Sequence, residues 1–118
     1  MSKINSIKEN HIFNRVYSKG RNSVEKNIVV YSARNRRDEK ILFGITVRKK
    51  LGCAVQRNRA KRLIKEAYRA LIREYELTGS QFIVVVARSG AFSPAAKMWD
   101  IYSDMKQAFI KLGIISIK

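Results

Sequence analysis

The chain is short of nearly everything that protein-based catalysis uses. Among 118 residues there is one cysteine, one histidine, one tryptophan and one proline. A lone cysteine, Cys53, excludes an internal disulfide and a thiolate zinc site. His11 and Cys53 are the sole histidine–cysteine pair for nucleophilic chemistry. His11 falls among polar residues and Cys53 lies between Gly52 and Ala54. The pair therefore reads as a surface histidine and a small packing residue rather than a base and its nucleophile. Acids are scarce as well, nine against 25 lysines and arginines. Asp100 and Asp104 have the spacing to share a hard cation on one helix face. Acids early in a helix are also favoured by its positive end alone, so the sequence leaves the metal ligands unknown. Neither a Walker-type nor a dinucleotide-type glycine loop is present. No apolar run approaches the roughly 20 residues that span a bilayer. Met1-Ser2-Lys3-Ile4-Asn5 lacks the apolar centre of a signal peptide, so a cytoplasmic protein is expected.

What is abundant is positive charge. The formal net charge is +16 and the pI is near 10.5. Such a balance points to a polyanionic partner, nucleic acid or an anionic surface. At 46% hydrophobic residues the chain still has enough apolar surface for a core, and its length suits one domain, residues 1–118.

The charge is concentrated between Arg48 and Arg73, where ten cations meet one acid, Glu66. From Arg57 the pattern is helical. At about 100° per residue, Arg57, Lys61, Lys65, Arg69, Arg62, Arg73 and Arg59 span about 0–200°. Leu63, Ala67, Ala60, Leu71 and Ile64 occupy about 240–340°, the face expected to meet a core. Arg57/Lys61, Lys61/Lys65, Lys65/Arg69 and Arg69/Arg73 are like charges four apart, each costing a helix roughly 0.2–0.5 kcal/mol. An ordinary solvated face mixes in glutamates and avoids that cost, so the stripe is expected to face phosphates. Asn58 sits mid-stripe, near 100°, with an amide suited to a base edge or a ribose hydroxyl. Its bland alternative is a polar residue capping the helix start.

Around this helix, Ser6-Ile7-Lys8-Glu9 has the form of a capping box and predicts a helix from Ser6 to about Ser18, stopped by a left-handed Gly20. Ile12, Phe13, Val16 and Tyr17 share one of its faces. Asn27–Ala33 reads as a strand, 35–39 as a charged turn, and Ile41–Val47 as an alternating strand, together an antiparallel hairpin. A further strand near Arg21–Ser23 is weakly signalled. Lys49–Ala54 is a loop, and the basic helix runs to about Glu76. Phe82–Ala87 is apolar throughout, as in a strand covered on both faces. Ser93 as N-cap with Pro94 after it predicts the start of a last helix, with Met98, Ile101, Tyr102, Met105, Phe109 and Leu112 inward and Gly113 at its end. Phe13, Tyr17 and Tyr31 serve a core by default. Rings interleaved with cations also suit single-stranded nucleic acid, with Lys19, Arg21, Arg34 and Arg88 supplying charge.

Arg57-Asn58-Arg59-Ala60-Lys61-Arg62-Leu63-Ile64-Lys65-Glu66-Ala67-Tyr68-Arg69 resembles the Arg-Asn-Arg signature of the bacterial ribonuclease P protein family. Phe13, Val16, Tyr17 and Gly20, the run from Phe43 to Gly52, and Ala87-Arg88 extend that resemblance over nearly the whole chain. It implies an α+β fold, a compact α/β sandwich in the order αβββαβα, with a mixed sheet of about four strands and a left-handed βαβ crossover. It implies a protein subunit without catalytic residues, bound to a catalytic RNA that removes the 5′ leader of precursor tRNA with Mg2+. Arg57, Asn58, Arg59, Lys61, Arg62 and Lys65, extended by Arg48, Lys49 and Lys50, would contact the catalytic RNA. Phe13, Tyr17, Tyr31 and Arg88 would receive the leader. Neither DNA nor a membrane is an expected partner. Cys53 stands where the family often has Asn. The alternatives are a general structured-RNA binder of ribosomal-protein type and a stand-alone metal-dependent nuclease, for which only Asp100 and Asp104 are offered.

Overall fold

The apolar run at Phe82–Ala87 decides the architecture. A strand apolar on both faces must lie inside a sheet with cover above and below. In the computed structural model, which describes residues 6–36 and 39–117, strand Gln81–Ala87 is buried from its second residue onward. The elements in chain order are α1 (Asn10–Lys19), β1 (Arg21–Val24), β2 (Ile28–Arg34), β3 (Leu42–Thr46), a 3-10 turn (Lys49–Leu51), α2 (Ala54–Glu74), β4 (Tyr75–Leu77), β5 (Gln81–Ala87), a 3-10 turn (Ser89–Phe92), α3 (Met98–Leu112) and β6 (Ile115–Ile117). The main sheet has the order β1-β2-β5-β3. β5 pairs antiparallel with β2 and parallel with β3, so the sheet is mixed and α2 lies on the crossover between β3 and β5.

The expected β2–β3 hairpin does not form. β5 takes the place between them because its two apolar faces need a flanked position, which a hairpin would leave at an edge. Arg37 and Asp38 of the expected turn, like Met1–Asn5, lie outside the described residues. The strand near Arg21 is present as the antiparallel partner of β2.

One sheet face carries Ile28, Val30, Phe43, Ile83 and Val85 against Leu63, Ile64, Leu71, Ile101, Met105 and Phe109 of α2 and α3. The other carries Phe82, Val84 and Val86 against Ile7, Ile12 and Val16 in and before α1. The result is a layered α+β sandwich with α1 on one side of the sheet and α2 and α3 on the other. Tyr68 joins the larger core, stacked 3.9 Å from the Phe43 ring and edge-on to Phe109.

Three helix boundaries depart from the sequence reading. Ser6 does not cap α1. Ser6 bridges to Phe43, and the Ile7 amide donates to the Phe43 carbonyl, extending the β3 edge and burying Ile7. α1 therefore starts later, at Asn10. Gly20 does end α1, but with φ −80° and not in the left-handed region. Glycine is needed there because a Cβ would lie 2.5 Å from the Val16 carbonyl oxygen and 2.6 Å from that of Ser32. α3 starts at Met98, not after Ser93. The Ser93 hydroxyl accepts from the Ala95 amide in a local turn, and the helix is instead opened by Asp100, which accepts from the Lys97 amide. Gly113 closes α3 with φ 68° as expected. Past it, β6 pairs with β4 in a two-stranded sheet that periodicity did not signal, each strand being three residues long.

Candidate nucleic-acid interface

The cationic helix is displayed, but its outward arc is narrower than the wheel indicates. Lys61, Arg62, Lys65, Arg69 and Arg73 are exposed, and so is Asn58. Asn58, Lys61, Arg62, Lys65, Glu66 and Arg69 line a shallow depression of about 290 Å3. The acid in it offsets little, since Glu66 Oε1 lies 4.0 Å from Arg62 Nε on a largely exposed pair. The N-cap of α2 is Cys53, so Asn58 lies within the helix and its capping alternative is removed.

Arg57 and Arg59 sit at the two borders of the arc, and both are half-buried. The Arg57 Nε has no hydrogen-bond partner. It shares its side of the helix with Tyr68, near 20° on the same wheel, which the core claims. Arg59 reaches the other way. Its guanidinium donates to the carbonyls of Ser93 and Ala96 and so ties α2 to the turn that precedes α3. A cation in the Arg-Asn-Arg signature thus has structural work, which no helical wheel exposes because its acceptors are 34 and 37 residues away.

The aromatic residues converge beside α1. The rings of Tyr17 and Tyr31 meet edge-on at 5.1 Å, and Phe13 lies 6.5 Å from Tyr17. The Tyr17 hydroxyl is hydrogen-bonded to the Thr46 hydroxyl, fixing α1 to the end of β3. Phe13 covers Gly44, where a Cβ would stand 2.7 Å from the ring. All three rings are half-buried, as a wet stacking surface requires. β3 links this cleft to the basic helix. Two residues beyond Thr46 the chain reaches exposed Arg48, then Lys49 and Lys50 in the 3-10 turn before α2. Arg88 is exposed at the end of β5 and donates to the Glu25 carbonyl. Lys19, Arg21 and Arg34 do not surround the rings. They gather on the opposite flank of α1, in a separate groove.

Among the described residues no three histidine, cysteine, aspartate or glutamate side chains cluster. Asp100 caps α3, and Asp104 accepts from the Asn27 amide at 2.8 Å. Each expected ligand has its own backbone donor. Cys53 is exposed, and its amide donates to the Gln56 side chain at 2.9 Å, one half of a capping box. No helix among the described residues is long and apolar enough to cross a membrane.

Residues 1–113 match the family model described as Ribonuclease P. The chain is 35% identical over 116 residues to the ribonuclease P protein component of Alkaliphilus metalliredigens, covering 98% of this chain and 100% of that protein. It is 33% identical to that of Bacillus mycoides, covering 93% of this chain and 89% of the relative. The solved structure of the RNase P protein of Staphylococcus aureus superposes with a TM-score of 0.80 at 30% identity, covering 97% of this chain and all of the other. That of Thermotoga maritima shares the fold, with a TM-score of 0.74 at 21% identity.

Proposed function

The chain belongs to the ribonuclease P protein component family, and on that premise we propose that it docks a catalytic RNA through α2 and holds the single-stranded 5′ leader of precursor tRNA in the Phe13–Tyr17–Tyr31 cleft. The carrying observation is the continuity of β3. One strand ends in the aromatic cleft at Thr46 and leads through Arg48, Lys49 and Lys50 into the exposed cations of α2. Two polyanions can thus be held on adjoining surfaces. Cations between them lower their mutual repulsion, and so lower the magnesium needed to bring them together.

In this reading the protein binds and positions, and the RNA supplies the reacting groups. Among the described residues no three metal-ligating side chains gather, and Asp100 and Asp104 each accept from a backbone amide. No step is assigned to a metal on the protein. Lys61, Arg62 and Lys65 neutralise phosphates of the catalytic RNA, and Asn58 among them offers a donor and an acceptor to a base or ribose. Arg59 places the turn before α3 and contributes to the RNA surface through its remaining N–H groups.

The test is reconstitution at low magnesium with a bacterial catalytic RNA. The chain should promote cleavage of precursor tRNA where RNA alone fails, and should do nothing alone. Lys61→Ala with Arg62→Ala and Lys65→Ala should weaken RNA binding and flatten its log–log salt slope by about 2–3. Tyr31→Ala should weaken binding of leader-bearing substrate, but not of mature tRNA, by about 1–3 kcal/mol. RNA binding without promotion of cleavage would make the chain a general structured-RNA binder instead.

A further inference from the structure

α1 has two flanks. Ile12 and Val16 point into the core, Phe13 and Tyr17 lie on one side of them, and Arg15 and Lys19 lie on the other. The cationic flank borders a groove of about 360 Å3 at the end of the sheet where β1 begins and β2 ends. Arg15, Lys19, Arg21, Arg34 and Arg36 line it with Ser32 and Ala33, and among the described residues no acid does. It opens into a wider hollow of about 1050 Å3 beside Gly79, Ser80 and Gln81, where Glu39 also appears. All five cations are exposed, and among the described residues none is ion-paired. Arg21 alone has a firm partner, the Leu112 carbonyl at 2.6 Å. The pole of a helix C-terminus accounts for Lys19. It does not account for Arg34 and Arg36, which arrive from β2 and the segment after it. Arg15 and Lys19 are four apart and repel one another, so the helix is better off without this pair unless an anion is held between them.

We propose that this groove is a second segment of the leader track and binds the phosphates of the leader's 5′-distal nucleotides. This deepens the proposed function and rests on the aromatic cleft taking the leader. Tyr31 and Ala33 are two residues apart on the α1 side of β2. One belongs to the aromatic pair and the other lines the groove, a separation of about 7 Å along the strand. The end of α1 lies against β2 between them, with Gly20 close to the Ser32 carbonyl, and a helix is about 10–12 Å across. A single strand stacked on Tyr17 and Tyr31 therefore rounds the end of α1 within a few nucleotides. The groove has charge but no aromatic ring, so it reads phosphates and is indifferent to base sequence.

The experiment uses the reconstituted holoenzyme and precursor tRNAs with leaders of about four and about twelve nucleotides, lengths within the range such tracks cover. Arg15→Ala with Lys19→Ala and Arg34→Ala should weaken binding of the long-leader substrate about ten-fold and reduce its salt slope by about 2. Binding of the short-leader substrate and affinity for the catalytic RNA should stay as they are, and the melting temperature of the free protein should not fall. Arg15→Lys with Arg34→Lys should keep most of the long-leader affinity. Equal loss for both leaders would overturn the proposal and assign the groove to the catalytic RNA or the tRNA body. Unchanged binding of both would overturn it too. A wild-type holoenzyme that binds long-leader substrate, short-leader substrate and mature tRNA alike would instead remove the leader reading itself.

Discussion

The Tyr68 phenol lies between the Phe43 ring and Phe109, and burial pushes its pKa up to about 12. Below pH 10 both folded and unfolded chains keep the proton. Between about 10 and 12 the unfolded chain releases it while the folded chain holds it. Stability should therefore be complete below pH 10 and fall by up to about 1.4 kcal/mol per pH unit through that window. Tyr68→Phe should flatten the fall in alkaline denaturation. Phenolate absorbance from Tyr68 already at its ordinary pKa in the folded protein would refute the buried placement. Cys53 makes a second case. It occupies the N-cap of α2, where a thiol is a poor substitute for an amide or hydroxyl acceptor. Cys53→Asn should stabilise the protein by about 0.5–1 kcal/mol, read as a melting temperature higher by about 2–5 °C. An unchanged melting temperature would show that Gln56 already suffices as a cap.

At the scale of the element, α2 trades stability for charge. Lys65 stands between Lys61 and Arg69 on the exposed arc, with like charges four residues away on both sides. Lys65→Glu converts two repulsive pairs into attractive ones. It should raise the melting temperature by about 3–5 °C, roughly 1 kcal/mol, while weakening binding to the catalytic RNA. A variant that lost stability would mean that the cations of α2 are compensated within the fold. Much of α2 was readable in advance, because a 3.6-residue period over 21 residues separates core from charge. The borders of its arc were not. Arg59 reads as another exposed cation until the turn at Ser93–Ala96 is folded against it. The starts of α1 and α3 were misplaced for the same reason. Ser6 and Ser93 are competent caps, but long-range partners, the β3 edge for one and Arg59 for the other, hold the neighbouring backbone elsewhere.

For the whole molecule, the charge of +16 gives salt two opposite effects. Added salt screens self-repulsion and should raise the melting temperature of the free protein. The same salt should weaken its RNA complex steeply. About six to nine phosphate contacts correspond to a log–log slope near −4 to −8. Calorimetry and binding titrations over one salt series check both signs. A complex as salt-tolerant as the free protein would contradict a phosphate-dominated interface.

Local pattern alone was enough to establish a strongly basic α+β chain, a cationic helix with one apolar face, and a strand destined for the middle of a sheet. These follow from side-chain period and charge, which are properties of neighbours in the chain. Which strands lie side by side, what Arg59 holds, and how Arg21 and Arg34 join the cationic flank of α1 were settled only by tertiary structure. Each depends on contacts between residues far apart in sequence. The energy of such contacts is set by which apolar faces find cover together, and no local window contains that choice.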